Sequence, residues 1–394
     1  MLRDVTLRPQ FPRRQTLNKR SMISACAAGF AFSANYTNHA PMVPSLRADF
    51  GFSQASAGLL TTGIFLTHAL MQIPGGRLAD RVGPSRVIVV ALAWISLANF
   101  SIAFAGAYWQ LLLWKTIAGV GTGACFAGGA RYVVGTFRGR ELHLAQGLFG
   151  ASVVLGSGFV VFAVPQLLGA FGWRGAFLGC ATLAAAAWAW WMWVAPPPQL
   201  PMPLAGSIGE MMSHRELWLL GWMQMASFGL MIVVGTWITT LLKADFRMPL
   251  KTAGLLGSMV LLLGIFSRPL GGWLAHTVPI KGLIGLSLLA NAMACVALGW
   301  GHAIGVTLLA IAVLGVGCGL PYAGIFNRAA ALFPGRAGAA MGLVNMVGIV
   351  MILAGAPAVG YVADVSGQFR TSFYLVGAFA LLAAFASQAI PGEQ

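Results

Sequence analysis

Acidic side chains are nearly missing from this chain: nine Asp and Glu stand against 24 Lys and Arg in 394 residues, and charged residues of both signs make up only 8%. So little charge cannot clothe a water-soluble domain of this length. Cysteines in paired spacing are missing as well. Cys26, Cys125, Cys180, Cys295 and Cys318 each fall alone inside an apolar run, which indicates neither a disulfide framework nor a zinc site. No nucleotide-binding loop is present. The run Gly119-Val120-Gly121-Thr122-Gly123 follows no strand and sits within an apolar stretch, so it reads as a close-packing helix surface. No nucleophile, base and orienting residue stand in a catalytic arrangement, so an enzyme is not expected, nor any cofactor or metal.

What fills the chain is apolar. Hydrophobic residues reach 58% and the mean hydropathy is +0.80, the composition of an integral membrane protein. The net charge of +15 sits in short turns between apolar runs, so topology explains it and a nucleic-acid partner is not expected. At about twenty residues per crossing, spans are expected near 22–46, 53–74, 87–106, 108–135, 143–170 and 173–194, then near 217–242, 251–275, 281–301, 303–327, 336–362 and 370–390. Residues 1–21 read as a basic tail. Arg13-Arg14 and the following apolar run resemble a secretory leader, but the run is long and many spans follow, so it reads as a retained first span. The interval 195–216, with Pro196-Pro197-Pro198, Pro201, Pro203, Glu210, His214 and Glu216, reads as a linker. The expected domains are therefore a six-helix bundle over 22–194, the linker, a second six-helix bundle over 217–390 and a short tail at 391–394.

Lysine and arginine set the orientation. With the N-terminus inside, that side holds Arg3, Arg8, Arg13, Arg14, Lys19, Arg20, Arg77, Arg81, Arg86, Arg138, Arg140, Arg215, Lys281, Arg328 and Arg336. The other side holds only Arg47, Arg174, Lys243, Arg247, Lys251 and Arg370. Fifteen against six places both termini in the cytoplasm. The tryptophans Trp188, Trp190, Trp191 and Trp193 then fall at the cytoplasmic end of span six, where an interfacial belt is expected.

An internal repeat runs at an offset of 196 residues. Ala48-Asp49-Phe50 returns as Ala244-Asp245-Phe246, Ala57-Gly58-Leu59-Leu60 as Ala253-Gly254-Leu255-Leu256, and Gly75-Gly76 as Gly271-Gly272. Gly119-Val120-Gly121 returns as Gly315-Val316-Gly317, and Gly139-Arg140 as Gly335-Arg336. Chance does not keep one offset through so many matches. The fold class expected is all-α integral membrane, with twelve transmembrane helices in two pseudo-symmetric bundles.

Between spans two and three lies a charged stretch, Gly75-Gly76-Arg77-Leu78-Ala79-Asp80-Arg81-Val82-Gly83-Pro84-Ser85-Arg86, which reads as a water-facing turn. Its Gly76, Leu78, Asp80, Arg81, Gly83 and Arg86 resemble the loop motif of the major facilitator superfamily, and the resemblance covers essentially the whole chain. It implies two six-helix halves rocking about a central site. It also implies a gate in which Asp80 meets arginines at the end of the fourth helix, here Arg131 or Arg140, and the small-residue start of the eleventh, Gly338-Ala339-Ala340-Met341-Gly342. In the second copy His276 stands where Asp80 stands in the first, so the first copy is expected to carry the gate.

The cargo is read from an absence. Asp4, Asp49, Asp80, Glu141, Glu210, Glu216, Asp245, Asp364 and Glu393 all fall outside the middle of the expected spans. Export of a cation by proton exchange commonly needs a carboxylate there. The family's antiporter signature in span five, a Gly-Pro followed by a Gly pair, is also missing. Three cations stand inside spans instead: Lys115 in span four, Arg268 in span eight, aligned by the repeat with Gln72, and Arg131 deeper in span four, aligned with Asn327. Each should face a wet cavity or a partner, and positive groups without negative ones favour an anion. For Lys115 the alternative is snorkelling to the outer interface, and for Arg268 an anchor at the cytoplasmic end. Asn35, Asn38 and His39 in span one, His68 and Gln72 in span two, Tyr322 in span ten and Asn345 in span eleven are further candidates to line the site, or else to bond neighbouring helices. The histidines could shuttle protons where carboxylates are lacking.

The expected function is thus a secondary transporter in a cytoplasmic membrane of bacterial style, moving a small anion by proton symport or exchange, and working as a monomer. The candidate cargo is an organic carboxylate or inorganic oxyanion. The chain is similar to the facilitator branches for nitrate, cyanate and organic anions. It departs from the nitrate porters in having His68 and Gln72 where an arginine is expected in span two, which weighs against nitrate itself. A carrier of neutral solutes or drugs, and a non-transporting sensor or scaffold on the same fold, are the alternatives.

Overall fold

The computed structural model describes residues 18–52, 54–195, 207–275, 277–301 and 303–391, and among these every regular element is helical. Most of the basic tail, most of the linker, His276 and Glu393 lie outside the described residues, as does the side chain of Asp364.

Twelve long segments succeed one another: α1 (19–50), α2 (54–82), α3 (Pro84–Ala103), α4 (Tyr108–Thr136), α5 (139–171), α6 (173–193), α7 (215–246), α8 (250–274), α9 (Ile280–Trp300), α10 (304–332), α11 (334–366) and α12 (Phe369–Ala389). In hydrocarbon every backbone N–H and C=O must be paired within its own segment, so long apolar runs become helices whatever their local propensities. Ten segments are long and apolar enough to cross a membrane, and α2 makes an eleventh if its two parts, bent by 42°, count as one span. The exception is α1, which opens on Lys19 and Arg20 and carries several Ser and Asn residues. It is also irregular, passing from Lys19–Thr37 through a 3-10 turn at Ala40–Met42 into Val43–Phe50. Glycines in the left-handed conformation end α1 at Gly51 (φ 65) and α9 at Gly301 (φ 56), and Gly172 (φ 65, ψ −178) breaks the helix between α5 and α6.

The charged stretch after span two is not a turn. Gly75 through Val82 continues α2 as helix, and the chain reverses only at Gly83 (φ 92, ψ 139), with Pro84 opening α3. The paired glycines do not break the helix because they let it pack closely. A Cβ at Gly75 would sit 3.0 Å from the Ala124 backbone on α4, and one at Gly76 would sit 2.1 Å from the Gly338 carbonyl oxygen on α11.

An even number of crossings leaves both chain ends on one face, called here the terminal face. On that side the two halves press together: α2 against α11 at Gly76–Gly338, and α5 against α8, where a Cβ at Gly147 would meet the Arg268 carbonyl oxygen at 2.4 Å. Toward the opposite face a Cβ at Gly158 on α5 would clear Leu262 on α8 at an ordinary 3.6 Å. The tryptophan cluster at the end of α6 is only partly interfacial. Trp193 is exposed, whereas Trp190 and Trp191 turn inward and donate their indole N–H groups to Ser24 Oγ (2.9 Å) and the Ser24 carbonyl (3.0 Å) on α1. Arg20 also donates to the Val194 carbonyl there.

Candidate functional site

Between the halves lies a narrow cavity. Its walls are aromatic: Phe32 and Tyr36 from α1, Phe65 from α2, Phe126 from α4, Phe228 from α7 and Tyr322 from α10. Polar groups enter at four points, His68 from α2, Gln224 from α7, Arg268 from α8 and Asn345 from α11. Val153 and Ile349 complete the lining. Several of these residues are repeat partners at the 196-residue offset: Phe32 with Phe228, Phe126 with Tyr322 and Val153 with Ile349. The apolar lining is therefore built twice. The charge is not, because Arg268 has Gln72 as its counterpart.

Arg268 is 1% exposed, which removes the interfacial-anchor alternative. Its guanidinium lies 4.5 Å from the Tyr322 ring centroid and 5.6 Å from that of Phe228, a cation held by two π faces. One Nη donates to the Gly150 carbonyl on α5 at 2.6 Å, bridging the halves. Nε has no partner. A buried guanidinium N–H left unpaired in a cavity is a donor awaiting an acceptor, and Gln224 Oε1 is likewise unpartnered. No carboxylate lines the cavity. The acidic residues among the described ones lie in end turns of helices and in the linker helix Ile208–Ser213.

His68 sits among Phe32, Tyr36, Phe65 and Phe126, with ring centroids 5.8–6.3 Å away, and its Nδ1 meets Thr122 Oγ1 at 2.9 Å. Gln72 is one turn further toward the terminal face and fully buried. Its amide nitrogen donates to the His68 carbonyl at 3.2 Å, and its Oε1 has no partner. Of the nine candidates for the site, Arg268, His68, Tyr322 and Asn345 meet at this cavity.

Lys115, Asn38 and His39 do not reach it. Lys115 is 1% exposed and neither snorkels nor faces the cavity. Its ammonium donates to Asn38 Oδ1 at 2.8 Å and to the Asn35 carbonyl at 3.1 Å. Asn38 in turn donates to Asn99 Oδ1 on α3 at 2.8 Å, and His39 Nε2 meets Thr61 Oγ1 at 2.8 Å. This is a polar core inside the first half, where α1 gives up regular helix. Pro41, which has no N–H to donate, falls at this break. Asn35 turns its amide back onto the Ala31 carbonyl at 2.8 Å.

At the terminal face Asp80 is 1% exposed. Oδ1 accepts from Arg131 Nε on α4 at 2.7 Å and from the Gly338 N–H at 3.1 Å, and Oδ2 accepts from the Ala339 N–H at 3.1 Å. One carboxylate thus ties α2, α4 and the N-terminus of α11, whose free N–H groups and dipole favour an anion. Of the two arginines offered as partners, Arg131 is the one in this lock. Arg140 opens α5 at an exposed position, and Arg81 and Arg86 are exposed on either side of Gly83.

The model of the Major Facilitator Superfamily matches residues 25–347, and again 217–390. The chain belongs to the major facilitator superfamily. Among curated relatives, the "Probable nitrate transporter NarT" of Staphylococcus haemolyticus is 23% identical over 345 residues, covering 87% of this chain and 89% of the relative. The "Probable sulfoacetate transporter SauU" of Cupriavidus necator is 25% identical over 288 residues, 67% of each. Among solved structures, the human organic anion transporter MFSD10 (TETRAN) superposes with a TM-score of 0.80 at 16% identity, covering 95% of this chain and all of that one. That likeness shows the fold. The chain is a multi-pass membrane protein of a transporter family, and not an enzyme.

In this facilitator the aromatic wall escaped the sequence reading. A phenylalanine in an apolar span looks the same whether it fills a core or lines a cavity. The usable signal was positional, because Phe32 and Phe228 occupy equivalent places in the repeat.

Proposed function

We propose that this facilitator carries a small anion, an organic carboxylate or an inorganic oxyanion, across the cytoplasmic membrane by alternating access. It works as a monomer with both termini inside, and takes its energy from proton symport or from exchange. The observation that carries the reading is Arg268: the one fixed charge in the cavity, buried, with an unpartnered Nε and no carboxylate near it. A guanidinium in a low-dielectric cavity has a strong preference for an anion with an in-plane acceptor. The names of the relatives, nitrate and sulfoacetate transporters, point the same way. The lock at Asp80 ties the two halves together on the terminal face. The excess of Lys and Arg on the terminal side makes that side the cytoplasm.

The test is a thermal-stability screen of the purified protein against nitrate, sulfoacetate and benzenesulfonate, a neutral sugar and a quaternary ammonium ion, repeated on Arg268→Ala. A ligand at 100 times its dissociation constant adds about 2.7 kcal/mol to the folded state. Stabilisation by an anion that vanishes in Arg268→Ala is the expected result. Stabilisation by the sugar or the ammonium ion alone, equal in parent and variant, overturns the reading.

A further inference from the structure

We infer that His68 is the proton site of this cavity: it takes up one proton from the side on which the anion enters, and the two cross together. The inference rests on the anion reading above. Among residues lining the cavity, those able to change charge are Arg268, His68, Tyr36 and Tyr322. A guanidinium does not give up its proton in a protein and an unperturbed phenol titrates near pH ~10, whereas an unperturbed imidazole changes charge in the range where cells hold their pH.

The geometry also says which nitrogen is available. Thr122 Oγ1 commits its one hydrogen to the Gly119 carbonyl at 3.1 Å, so it meets His68 Nδ1 as an acceptor at 2.9 Å. In that arrangement Nδ1 carries the ring hydrogen. Nε2, on the far side of the ring from Thr122, holds the lone pair.

No carboxylate faces this imidazole. On its own helix stand Phe65 and Gln72, α1 presents Phe32 and Tyr36, and α4 presents Thr122 and Phe126. Across the cavity stand Arg268 and Tyr322. The other cations of α4 are engaged elsewhere, Lys115 with Asn38 and Arg131 with Asp80. An imidazolium and a guanidinium lining one cavity repel each other, and an anion seated between them removes that repulsion. Proton uptake at Nε2 thus follows anion binding, and departure of the anion expels the proton. The charges balance, since one proton accompanies one monoanion while Arg268 keeps its own charge throughout.

The test places the full-length protein in proteoliposomes with nitrate or benzenesulfonate as the probe. Strong-acid anions are needed because a weak acid crosses the bilayer unaided in its neutral form. Two rates are measured with the membrane potential clamped at zero: exchange of labelled for unlabelled anion at equal pH, and uptake driven by an inward gradient of one pH unit. One-to-one coupling accumulates the anion about tenfold in the parent. In His68→Gln, slower but measurable exchange with accumulation reduced to equal concentrations on both sides is the expected result. Should His68→Gln fail to exchange, the parent decides: its Arg268-dependent stabilisation by the probe must change with pH through the imidazole range, and a flat profile overturns the inference. It is also overturned if His68→Gln accumulates the probe tenfold, or if the parent exchanges the probe yet ignores the pH gradient. A parent that neither binds nor moves either anion overturns the anion reading itself, and this inference with it.

Discussion

Gly76→Ala is expected to spring the terminal face open. A Cβ at that position would lie 2.1 Å from the Gly338 carbonyl oxygen, 2.3 Å from its carbon and 2.7 Å from the Ala339 nitrogen, all backbone atoms that no rotamer change can move. Ordinary contact begins at 3.4 Å, so α2 and α11 must part by more than 1 Å. That movement also stretches the two 3.1 Å hydrogen bonds from Gly338 and Ala339 to Asp80 beyond useful length. Overpacking of this kind costs about 1–3 kcal/mol. Spent on the closed conformation alone, it shifts a two-state equilibrium roughly 5- to 150-fold toward opening. Spin labels at Arg81 on α2 and Ala331 on α10, both exposed at the terminal face, read the separation by pulsed electron resonance. The parent should give a short distance, and Gly76→Ala a second, longer population. Gly58→Ala on the same helix is the control, because a Cβ there meets nothing within 4 Å. A distance distribution for Gly76→Ala that overlays those of parent and control refutes the argument that this crossing holds the face shut.

Other substitutions separate the lock, the site and the polar core. Asp80→Ala strands a buried Arg131 and should lower stability by about 3–5 kcal/mol, read by thermal denaturation, while opening the same spin-label distance. Arg268→Lys loses the planar donors that meet an anion and should weaken anion binding roughly 10- to 150-fold, the worth of a charged hydrogen bond of about 1.5–3 kcal/mol; titration of the stabilising anion checks it. Lys115→Met leaves the Asn38 and Asn35 oxygens without their donor and should cost about 1–3 kcal/mol in stability, with the affinity for the stabilising anion kept. Arg328→Ala likewise breaks a largely buried ion pair with Glu216 (2.6 Å), strands the Glu216 carboxylate and should lower stability by about 1–3 kcal/mol.

The parts of this molecule legible in its sequence were those that the bilayer or the repeat imposes. Apolar length marked every segment but the more polar first, and the 196-residue offset paired residues that meet at the cavity. The contact of Asp80 with the start of α11 followed from a motif and from a run of small residues at a distant position. Legibility failed where packing chooses between identical local signals. Gly75-Gly76 before four charges looks like a helix breaker, yet a neighbouring backbone at contact distance rewards helix there. Lys115 and Arg268 are both lone cations in apolar spans. One is absorbed by asparagines of its own bundle and the other is left with an idle N–H in a cavity, and only the third dimension tells them apart.

The bond from Arg268 to the Gly150 carbonyl joins opposite halves of the molecule. The group that welcomes the cargo is also a rivet across the interface that must slide when the cargo moves. While the carrier is vacant the guanidinium grips the other half, and returning empty means breaking a charged hydrogen bond with nothing to replace it. On the proposed reading, an anion meeting the idle Nε competes for the guanidinium charge and loosens the rivet. If the anion reading holds, futile cycling is discouraged by the same guanidinium that selects the passenger, which ties the tightness of coupling to the strength of recognition.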